Sequence, residues 1–323
     1  MRSFKHINAR TVDEACGLLG EYKGKAMLNA GGTDLLGILK DRILPDSPEV
    51  IINIKTIHGL DYIKEDGKGL KLGALAKLSD IAKSPMVKGD YKMLAEAAEA
   101  VATPQIRNMG TIGGNLCQDV RCWYYRYPHH LGGRILCLRK GRGPCLAVAG
   151  DNRYHAILEG KKCFAVCPSD VAIALTALDA KVKIQTPIGS RTIGVKDFFK
   201  TLKNVLEPDE MVTEIQVPKP LDKARQTFLK FTLRKPVDFA IVSVASVITV
   251  RDGVCKDAKI VLGAIAPIPV RATEVEQAIK GKVIDATMAA EAAEVAVAGA
   301  RPLSMNAYKV EITKTLVKRA ILS

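Results

Sequence analysis

Apolar and polar positions alternate along the first half of the chain in short blocks that predict strands and helices in turn. Residues 12–19 carry apolar side chains at helical spacing, with Thr11 as a cap and Gly20 as a stop. Residues 50–54 form an apolar run that is typical of a buried strand. Asp66-Gly67 predicts the turn of a hairpin. The remaining predictions are strands at 26–28, 60–63 and 70–75 and helices at 78–82 and 91–101.

The second half has a different order of elements. A helix at 171–180 is followed by predicted strands at 181–186, 190–193, 211–217, 228–233, 240–250 and 258–264 and by a helical tail at 273–322. The polar stretch after Pro218 and Pro220 places a domain boundary between residues 1–220 and 221–323. Asp252-Gly253 is a strong hairpin signal. These elements predict an α+β fold that ends in a small antiparallel sheet flanked by helices.

One window, residues 118–167, follows neither pattern. Six of the eight cysteines lie between Cys117 and Cys167, together with three of the five histidines. A structureless loop of this length is uncommon inside a compact domain, and ordering its backbone costs roughly 1–2 kcal/mol per residue. Several thiolates in one window indicate disulfides, zinc or an iron–sulfur cluster. A bound metal centre would supply the missing stabilisation.

Composition narrows these alternatives. The chain has 323 residues, 48% of them hydrophobic, which is enough for two domains with a substantial core. It has no run of 18 apolar residues that could span a membrane and no apolar signal core at its N-terminus, which predicts a cytoplasmic protein. Because structural disulfides are uncommon in the cytosol, the cysteines are expected to bind a metal or a cluster.

The net charge of +14 is spread along the chain without a long basic tract. No helix-turn-helix, zinc-finger or RNP-like signature accompanies it, so we expect no nucleic-acid partner. A basic surface suits an acidic electron carrier or an anionic substrate equally well.

Two glycine-rich turns carry the clearest candidate chemistry. The first surrounds Gly31-Gly32 and the second surrounds Gly113-Gly114. Paired glycines let backbone N–H groups crowd around a phosphate, and two such turns suit a pyrophosphate held from two sides. Neither turn is a dinucleotide fingerprint or a Walker lysine loop. A single Gly-Gly pair is more often only a tight turn, but two similar motifs weaken that interpretation.

Both turns belong to longer motifs that resemble the FAD-binding medium subunit of the molybdenum hydroxylases, the family of xanthine dehydrogenase and carbon monoxide dehydrogenase flavoproteins. The resemblance covers essentially the whole chain and keeps the order of the motifs. The motifs are AGGTDL at 30–35, INI at 52–54, LGA at 72–74, RNMGTIGGNL at 107–116, RKPVDFAIVSVA at 234–245 and GAIAPIPVRA at 263–272.

The resemblance implies an FAD-binding domain of two α+β subdomains, of the vanillyl-alcohol-oxidase/PCMH type, and a small C-terminal domain of the carbon monoxide dehydrogenase flavoprotein type. It implies that the first turn wraps the FAD pyrophosphate, that the second holds its other side and the ribityl chain, and that the acidic residue of Ser169-Asp170 touches FAD. The implied FAD-binding residues are Leu28, Asn29, Ala30, Gly31, Gly32, Thr33, Asp34, Leu35, Val101, Thr111, Ile112, Gly113, Gly114, Asn115 and Asp170.

In most members of the family the second turn leads directly to the Ser-Asp pair. Here the cysteine window separates the turn from Ser169-Asp170. An insertion with cysteines at this point is similar to that of the β subunit of 4-hydroxybenzoyl-CoA reductases, where it carries a [4Fe–4S] cluster. By that resemblance the implied ligands are Cys122, Cys137, Cys145 and Cys163. Cys167 competes with Cys163 as the fourth ligand, and Cys117 is expected to be structural.

Zinc and no metal at all remain alternatives for this window. Structural zinc sites usually contain two close Cys-x-x-Cys pairs, and none is present. His129, His130 and His155 are further candidate ligands, although His-His beside a proline is more often a polar loop. The aromatic run at 123–127 either packs the insertion against the core or shields a cluster from water.

The resemblance implies an electron-transfer subunit that carries FAD and a [4Fe–4S] cluster and no catalytic residue. Its implied partners are a molybdopterin-binding large subunit, a [2Fe–2S] small subunit and ferredoxin as donor, in a dimer of heterotrimers. The implied reaction is reductive dehydroxylation of 4-hydroxybenzoyl-CoA. The first alternative is the flavoprotein subunit of another molybdenum hydroxylase, acting on a purine, N-heterocycle or aldehyde. The second is a non-catalytic zinc-binding interaction protein.

Overall fold

The structure is a computed structural model that describes residues 1–133, 135–235 and 237–323. It begins with a three-stranded parallel sheet in the order β1-β3-β2. Val50 and Ile52 pack with α1 and Ile51 packs with α2, so the central strand is apolar on both faces. The elements of this layer are β1 (Lys5–Asn8), α1 (Val12–Glu21), β2 (Ala26–Asn29), α2 (Leu35–Asp41) and β3 (Val50–Asn53).

A second subdomain contains a five-stranded antiparallel sheet in the order β4-β5-β8-β6-β7. Its strands come from both sides of the cysteine window, because β5 pairs with β8 and β8 pairs with β6. Its strands are β4 (Ile63–Asp66), β5 (Gly69–Gly73), β6 (Lys181–Thr186), β7 (Gly189–Gly194) and β8 (Met211–Pro218). Its helices are α3 (Leu78–Lys83), α4 (Pro85–Asp90), α5 (Lys92–Glu99), α6 (Pro104–Arg107), α7 (Ile112–Cys117), α8 (Asp170–Ala177) and α9 (Val195–Phe198).

The cysteine window joins α7 to α8. Its described residues contain no α-helix or strand, only three single turns of 3-10 helix at His129–Leu131, Leu138–Lys140 and Leu146–Val148. Arg134, inside the predicted insertion, lies outside the described residues. The window nevertheless contains a small apolar core. Its members are Val120, Tyr125, Cys137, Cys163 and Ala165, and they pack with Ile38 of α2 and with Ile43 just after that helix.

The C-terminal region is a four-stranded antiparallel sheet in the order β12-β11-β10-β9, flanked by three helices. Alternate residues of β10 face opposite sides: Ala245 and Val247 pack against the first domain, and Val244 and Ile248 pack against the C-terminal helices. Its elements are β9 (Arg225–Phe231), β10 (Val242–Arg251), β11 (Val254–Gly263), β12 (Val270–Arg271), α10 (Thr273–Ile279), α11 (Ala286–Val295) and α12 (Tyr308–Leu322). In the 234–245 motif, Pro236 lies outside the described residues.

None of the helices in the described ranges is long and apolar enough to cross a membrane.

A buried ion pair joins the two halves of the chain. Asp170, the first residue of α8, accepts a hydrogen bond of 2.7 Å from Lys230 Nζ on β9, and the same ammonium donates to the Ala100 carbonyl at 2.8 Å. Both side chains are almost inaccessible to solvent. Burial raises the pKa of Asp170, and the ammonium of Lys230 opposes that shift.

Replacing Asp170 with Asn is expected to destabilise the protein by about 3–5 kcal/mol, because the ammonium of Lys230 would remain buried without a counter-charge. Urea unfolding followed by circular dichroism measures the change. The matched control is Glu49→Gln, which breaks the exposed Lys25–Glu49 pair and should have little measurable effect. Equal unfolding midpoints for D170N and the wild type would contradict this prediction.

Candidate functional site

The two glycine turns lie against each other, and glycine is required where they touch. A Cβ on Gly31 would lie 2.1 Å from the carbonyl oxygen of Met109, which belongs to the second turn. A Cβ on Gly113 would lie 2.9 Å from the Cβ and the carbonyl oxygen of Ala74. Neither distance is sterically tolerable. The absence of a side chain at Gly31 therefore lets the two turns touch, and its absence at Gly113 lets the second turn pack against the segment after β5.

The first turn presents unused hydrogen-bonding groups. Among the hydrogen bonds of the described residues, the backbone N–H groups of 31–34 have no protein acceptor. The side-chain oxygen of Asn29 is buried without a partner, and Gly32 has a left-handed φ of 71°. Consecutive free N–H groups in such a turn form a concave anion site. The turn therefore fits a phosphate group.

Both turns open into one cavity of about 700 Å³, a size typical of cofactor sites. The cavity lies between the two subdomains of the first half, and Phe239 and Pro267 reach it from the C-terminal region. Most of the residues predicted to bind FAD line this cavity: Leu28, Ala30, Gly31, Gly32, Thr33, Asp34, Leu35, Val101, Thr111, Gly113, Gly114 and Asn115. The residues present thus fit a long dinucleotide cofactor such as FAD.

Asn29, Ile112 and Asp170 were predicted with this set but do not line the cavity. Ile112 is fully buried in the core, and the carboxylate of Asp170 is paired with Lys230. Its neighbour Ser169 does line the cavity, and it donates a hydrogen bond of 2.5 Å to the Asn115 side chain. That Asp170 itself touches FAD stays a prediction.

Asp34 is engaged by the cysteine window. Its carboxylate lies 2.7 Å from Arg126 Nη2 and 2.9 Å from Arg121 Nη1, and it accepts a hydrogen bond of 2.8 Å from the Asp119 backbone N–H. Burial, reinforced by neighbouring Arg126, lowers the pKa of Arg121 to about 10, and Asp34 opposes that shift. Two ion pairs and a hydrogen bond therefore connect the first glycine turn to the start of the insertion.

Replacing Asp34 with Asn should weaken this connection, because two guanidinium groups lose their carboxylate partner. We expect the free energy of unfolding to fall by about 1.5–3 kcal/mol. Urea unfolding measures the loss, and the exposed Asp61 provides the control, since D61N should stay within about 0.5 kcal/mol of the wild type. A D34N variant as stable as D61N would show that the ion pairs contribute nothing.

The four cysteines predicted as cluster ligands come together. Cys122, Cys137, Cys145 and Cys163 line a single small cavity and are free thiols. Burial raises the pKa of Cys122 to about 11, and the nearby thiols of Cys163 and Cys145 add to the shift. Cys117 and Cys167 line the larger cavity instead. The geometry therefore groups Cys163, rather than Cys167, with the other three.

The described residues contain no group of three His, Cys, Asp or Glu side chains placed to hold a single metal ion. The ligands of a cluster surround a body of several atoms, so they stand farther apart than the ligands of one ion. Four thiols around one cavity are the donor set that a [4Fe–4S] cluster uses. Neither His129 nor His130 lines this cavity.

His155 lies beside the cysteine cavity, with its Nε2 atom 3.2 Å from Cys122 Sγ. Burial lowers the pKa of His155 to about 4, and the nearby charge of Lys309 contributes to the shift, so the imidazole is neutral at neutral pH. The rings of Trp123 and Tyr124 both lie near the imidazole, with centroids at 5.8 and 6.1 Å. That the aromatic run shields a cluster from water stays a prediction.

Two residues, Tyr125 and Arg139, line both the cysteine cavity and the larger cavity. Arg139 is held by the backbone carbonyls of Leu202 and Thr201. Burial raises the pKa of Tyr125 far above its usual range, and its hydroxyl donates to Asp119. The two sites are therefore separated by a single layer of side chains. Sequence reasoning included Tyr125 only as part of the aromatic run at 123–127. It missed Arg121 and Arg139, and their place in the insertion is the signal that could have found them.

The fold and the cavity define a two-domain protein that holds a dinucleotide cofactor between two glycine turns, and comparison with known proteins gives the family. Residues 2–220 match the FAD binding domain in molybdopterin dehydrogenase, and residues 227–323 match the CO dehydrogenase flavoprotein C-terminal domain. The chain belongs to the family of FAD-binding medium subunits of the molybdenum hydroxylases. It is a flavoprotein subunit of an oxidoreductase.

Individual relatives agree with this assignment. The chain is similar to the aldehyde oxidoreductase FAD-binding subunit PaoB of Escherichia coli K12, with 33% identity over 97% of this chain and 96% of the relative. It is 30% identical to the nicotinate dehydrogenase FAD-subunit of Eubacterium barkeri, over 87% of this chain and 81% of the relative. The carbon monoxide dehydrogenase structure from Hydrogenophaga pseudoflava matches with a TM-score of 0.80 and 28% identity, covering 99% of this chain and 96% of that chain.

These matches confirm the predicted fold class, the FAD-binding family and the oxidoreductase assignment. The names of the relatives give no support to the narrower resemblance to 4-hydroxybenzoyl-CoA reductases or to an iron–sulfur cluster in this subunit.

Proposed function

We propose that this chain is an electron-transfer subunit that binds FAD in the larger cavity and a [4Fe–4S] cluster on Cys122, Cys137, Cys145 and Cys163. When bound, FAD exchanges one or two electrons and an iron–sulfur cluster exchanges one. The observation that carries the proposal is the wall of Tyr125 and Arg139 that the two cavities share. A redox centre in each cavity would be separated only by these side chains.

The surroundings of the cysteines support a cluster over an ordinary set of core thiols. Cys137 and Cys163 are buried and Cys122 and Cys145 are partly exposed, yet all four face one space. Core thiols pack as small apolar side chains and need not converge. The cationic side chains of Arg139 and Lys162 also line the space. Positive charge of this kind stabilises four bound thiolates.

The domain organisation belongs to the same proposal. Residues 1–220 form the FAD-binding domain, the insertion at about 118–167 carries the cluster, and residues 221–323 form the C-terminal domain. We expect molybdopterin to reside on a large subunit and a [2Fe–2S] centre on a small subunit, in a dimer of heterotrimers. Ferredoxin as donor and location in the cytosol stay predictions.

Two classes of substrate compete. The insertion favours reductive dehydroxylation of 4-hydroxybenzoyl-CoA, through its resemblance to that group of reductases. The names of the relatives favour the alternative, a molybdenum hydroxylase that acts on an aldehyde or an N-heterocycle, because the relatives described above act on aldehydes and on nicotinate. In either case the substrate would bind on the large subunit.

Purification of the complex under anaerobic conditions tests the proposal. We expect a flavin absorption spectrum, extractable FAD, and about four atoms each of iron and acid-labile sulfide per chain above the content of the small subunit. FAD without the additional iron would reject the cluster and leave the flavoprotein assignment intact. Zinc in place of iron would favour a structural metal site. Turnover of 4-hydroxybenzoyl-CoA with a low-potential donor, compared with oxidation of aldehydes and nicotinate, separates the two substrate classes.

A further inference from the structure

Among the described residues, the imidazole of His155 makes one polar contact, and that contact is with a cysteine sulfur. His155 is 3% exposed, and its Nε2 atom lies 3.2 Å from Cys122 Sγ. Its Nδ1 atom is buried and has no hydrogen-bond partner in the part of the chain that the structure describes. Because a thiolate can only accept a hydrogen bond, the contact is attractive when Nε2 carries the proton.

The backbone of His155 is held from the C-terminal domain. Lys309 Nζ donates to the His155 carbonyl oxygen at 3.1 Å and to the Ala264 carbonyl oxygen at 2.6 Å. Asn306 Nδ2 donates to the same His155 carbonyl at 3.1 Å and to the Ala156 carbonyl at 3.2 Å. These donors belong to the start of α12 and the turn before it. They fix the position of the imidazole from a different domain.

Lys309 is unusual because it is completely buried and, among the described residues, has no carboxylate within ion-pair distance. Burial lowers the pKa of Lys309 to about 7, and negative charge on a nearby cluster would favour its charged form. A sulfur-bound cluster gains negative charge when it is reduced. A nearby cation and a hydrogen bond to a ligand sulfur both stabilise the reduced state.

We propose that His155 donates a hydrogen bond from Nε2 to the sulfur of Cys122, and that Lys309 is the positioning residue that holds His155 and adds a buried positive charge. Together they raise the reduction potential of the cluster. This inference rests on the cluster of the proposed function, and it identifies residues outside the ligand set. Its consequence is a potential set partly by the C-terminal domain.

The test uses the complete complex and three substitutions. His155→Phe removes the donor and keeps a ring, His155→Gln keeps an N–H donor, and Lys309→Met removes the charge with little change in shape. Lys318→Met, on the same helix, is the control. The midpoint potential of the cluster is measured by redox titration with EPR detection, alongside iron and FAD content.

We expect full iron and FAD content in all variants and a more negative potential in H155F and K309M. H155Q should lie between H155F and the wild type, and K318M should match the wild type. Should K309M fail to fold, Asn306→Ala removes the second donor to the His155 carbonyl and should shift the potential in the same direction.

An unchanged potential in H155F with full iron content would overturn the inference. Loss of iron in H155F to the same extent as in Cys122→Ser would also overturn it, because His155 would then be needed to hold the metal. A wild-type complex with FAD and no additional iron rejects the proposed cluster itself. The two failures are therefore distinguishable.

Discussion

Replacing Gly31 with Ala is expected to abolish tight FAD binding. The added methyl group would lie 2.1 Å from the carbonyl oxygen and 2.8 Å from the carbonyl carbon of Met109. Both are backbone atoms of the second turn and cannot rotate away as a side chain would. The methyl group would force the two turns apart. Because their close approach forms the phosphate site, the site would be disrupted.

The expected magnitude follows from the cost of overpacking. Inserting a methyl group into a well-packed site typically costs about 1–3 kcal/mol. This cost corresponds to FAD binding weaker by roughly 5-fold to 150-fold. Titration of the FAD-free protein with FAD, followed by flavin fluorescence, gives the dissociation constant. Thermal unfolding of the same protein shows whether the FAD-binding domain also loses stability.

Gly37 provides the control for this prediction. It lies in α2, a few residues from the same turn, and a Cβ there would meet no atom within 4 Å. Ala is favoured over Gly inside a helix by up to about 1 kcal/mol. Gly37→Ala should therefore bind FAD like the wild type and unfold at the same or a higher temperature. Equal FAD affinity in G31A and G37A would show that the two turns do not form the site.

The elements that could be predicted are those set by local sequence. The Asp252-Gly253 signal predicted a hairpin, and both residues have left-handed φ values, 52° and 74°, as a tight hairpin turn requires. The strand after it begins at Val254, earlier than predicted, because its pairing with β10 continues across an irregularity at which Val250 pairs with Cys255 and Thr249 pairs with Asp257. The strand Lys5–Asn8 was not predicted. It is short and largely exposed and is defined by its pairing with β3.

The site could be predicted only where its residues share a motif. The glycine turns were recognised because each motif contains both the backbone freedom and the polar groups that a phosphate needs. The partners of Asp34 could not be recognised, because Arg126 is 92 residues away in sequence and only the folded chain brings the two together. The same reason applies to Tyr125 and Arg139, whose shared position between two cavities has no local signature.

The choice between Cys163 and Cys167 shows what tertiary structure adds. Spacing left both open as the fourth ligand. In the structure Cys163 faces the cavity of the other three cysteines. Cys167 lines the larger cavity, and its backbone N–H donates to the Ala266 carbonyl at 3.0 Å. Between Cys163 and Cys167 the chain thus passes from the cysteine cavity to the larger cavity.

Replacing any of Cys122, Cys137, Cys145 or Cys163 with Ser is expected to remove the cluster. Serine is close to cysteine in size but lacks the soft thiolate that binds iron in such clusters. We expect iron beyond that of the small subunit to fall from about four atoms per chain to near zero. FAD should remain bound, because none of the four lines the larger cavity.

Cys167→Ser is the matched control, since Cys167 is also buried and lies close to Cys163 in sequence. This variant should keep its iron. Loss of iron in C167S with full iron in C163S would make Cys167 the fourth ligand, and unchanged iron in all variants would reject the whole ligand set.

The same variants show whether the cluster stabilises the fold of the insertion or only binds to a segment that is already folded. The described part of the insertion has only three single 3-10 turns as regular structure. Its apolar cluster, the Asp34 ion pairs and hydrogen bonds from Arg139, Asn306 and Lys309 hold it in the fold. If the metal supplies folding free energy, limited proteolysis should cleave residues 118–167 faster in C122S than in C167S. The Asp34–Arg126 pair would remain in both variants, so any difference in cleavage reports the contribution of the metal. Equal cleavage rates, with iron lost only from C122S, would show that the protein alone folds this segment.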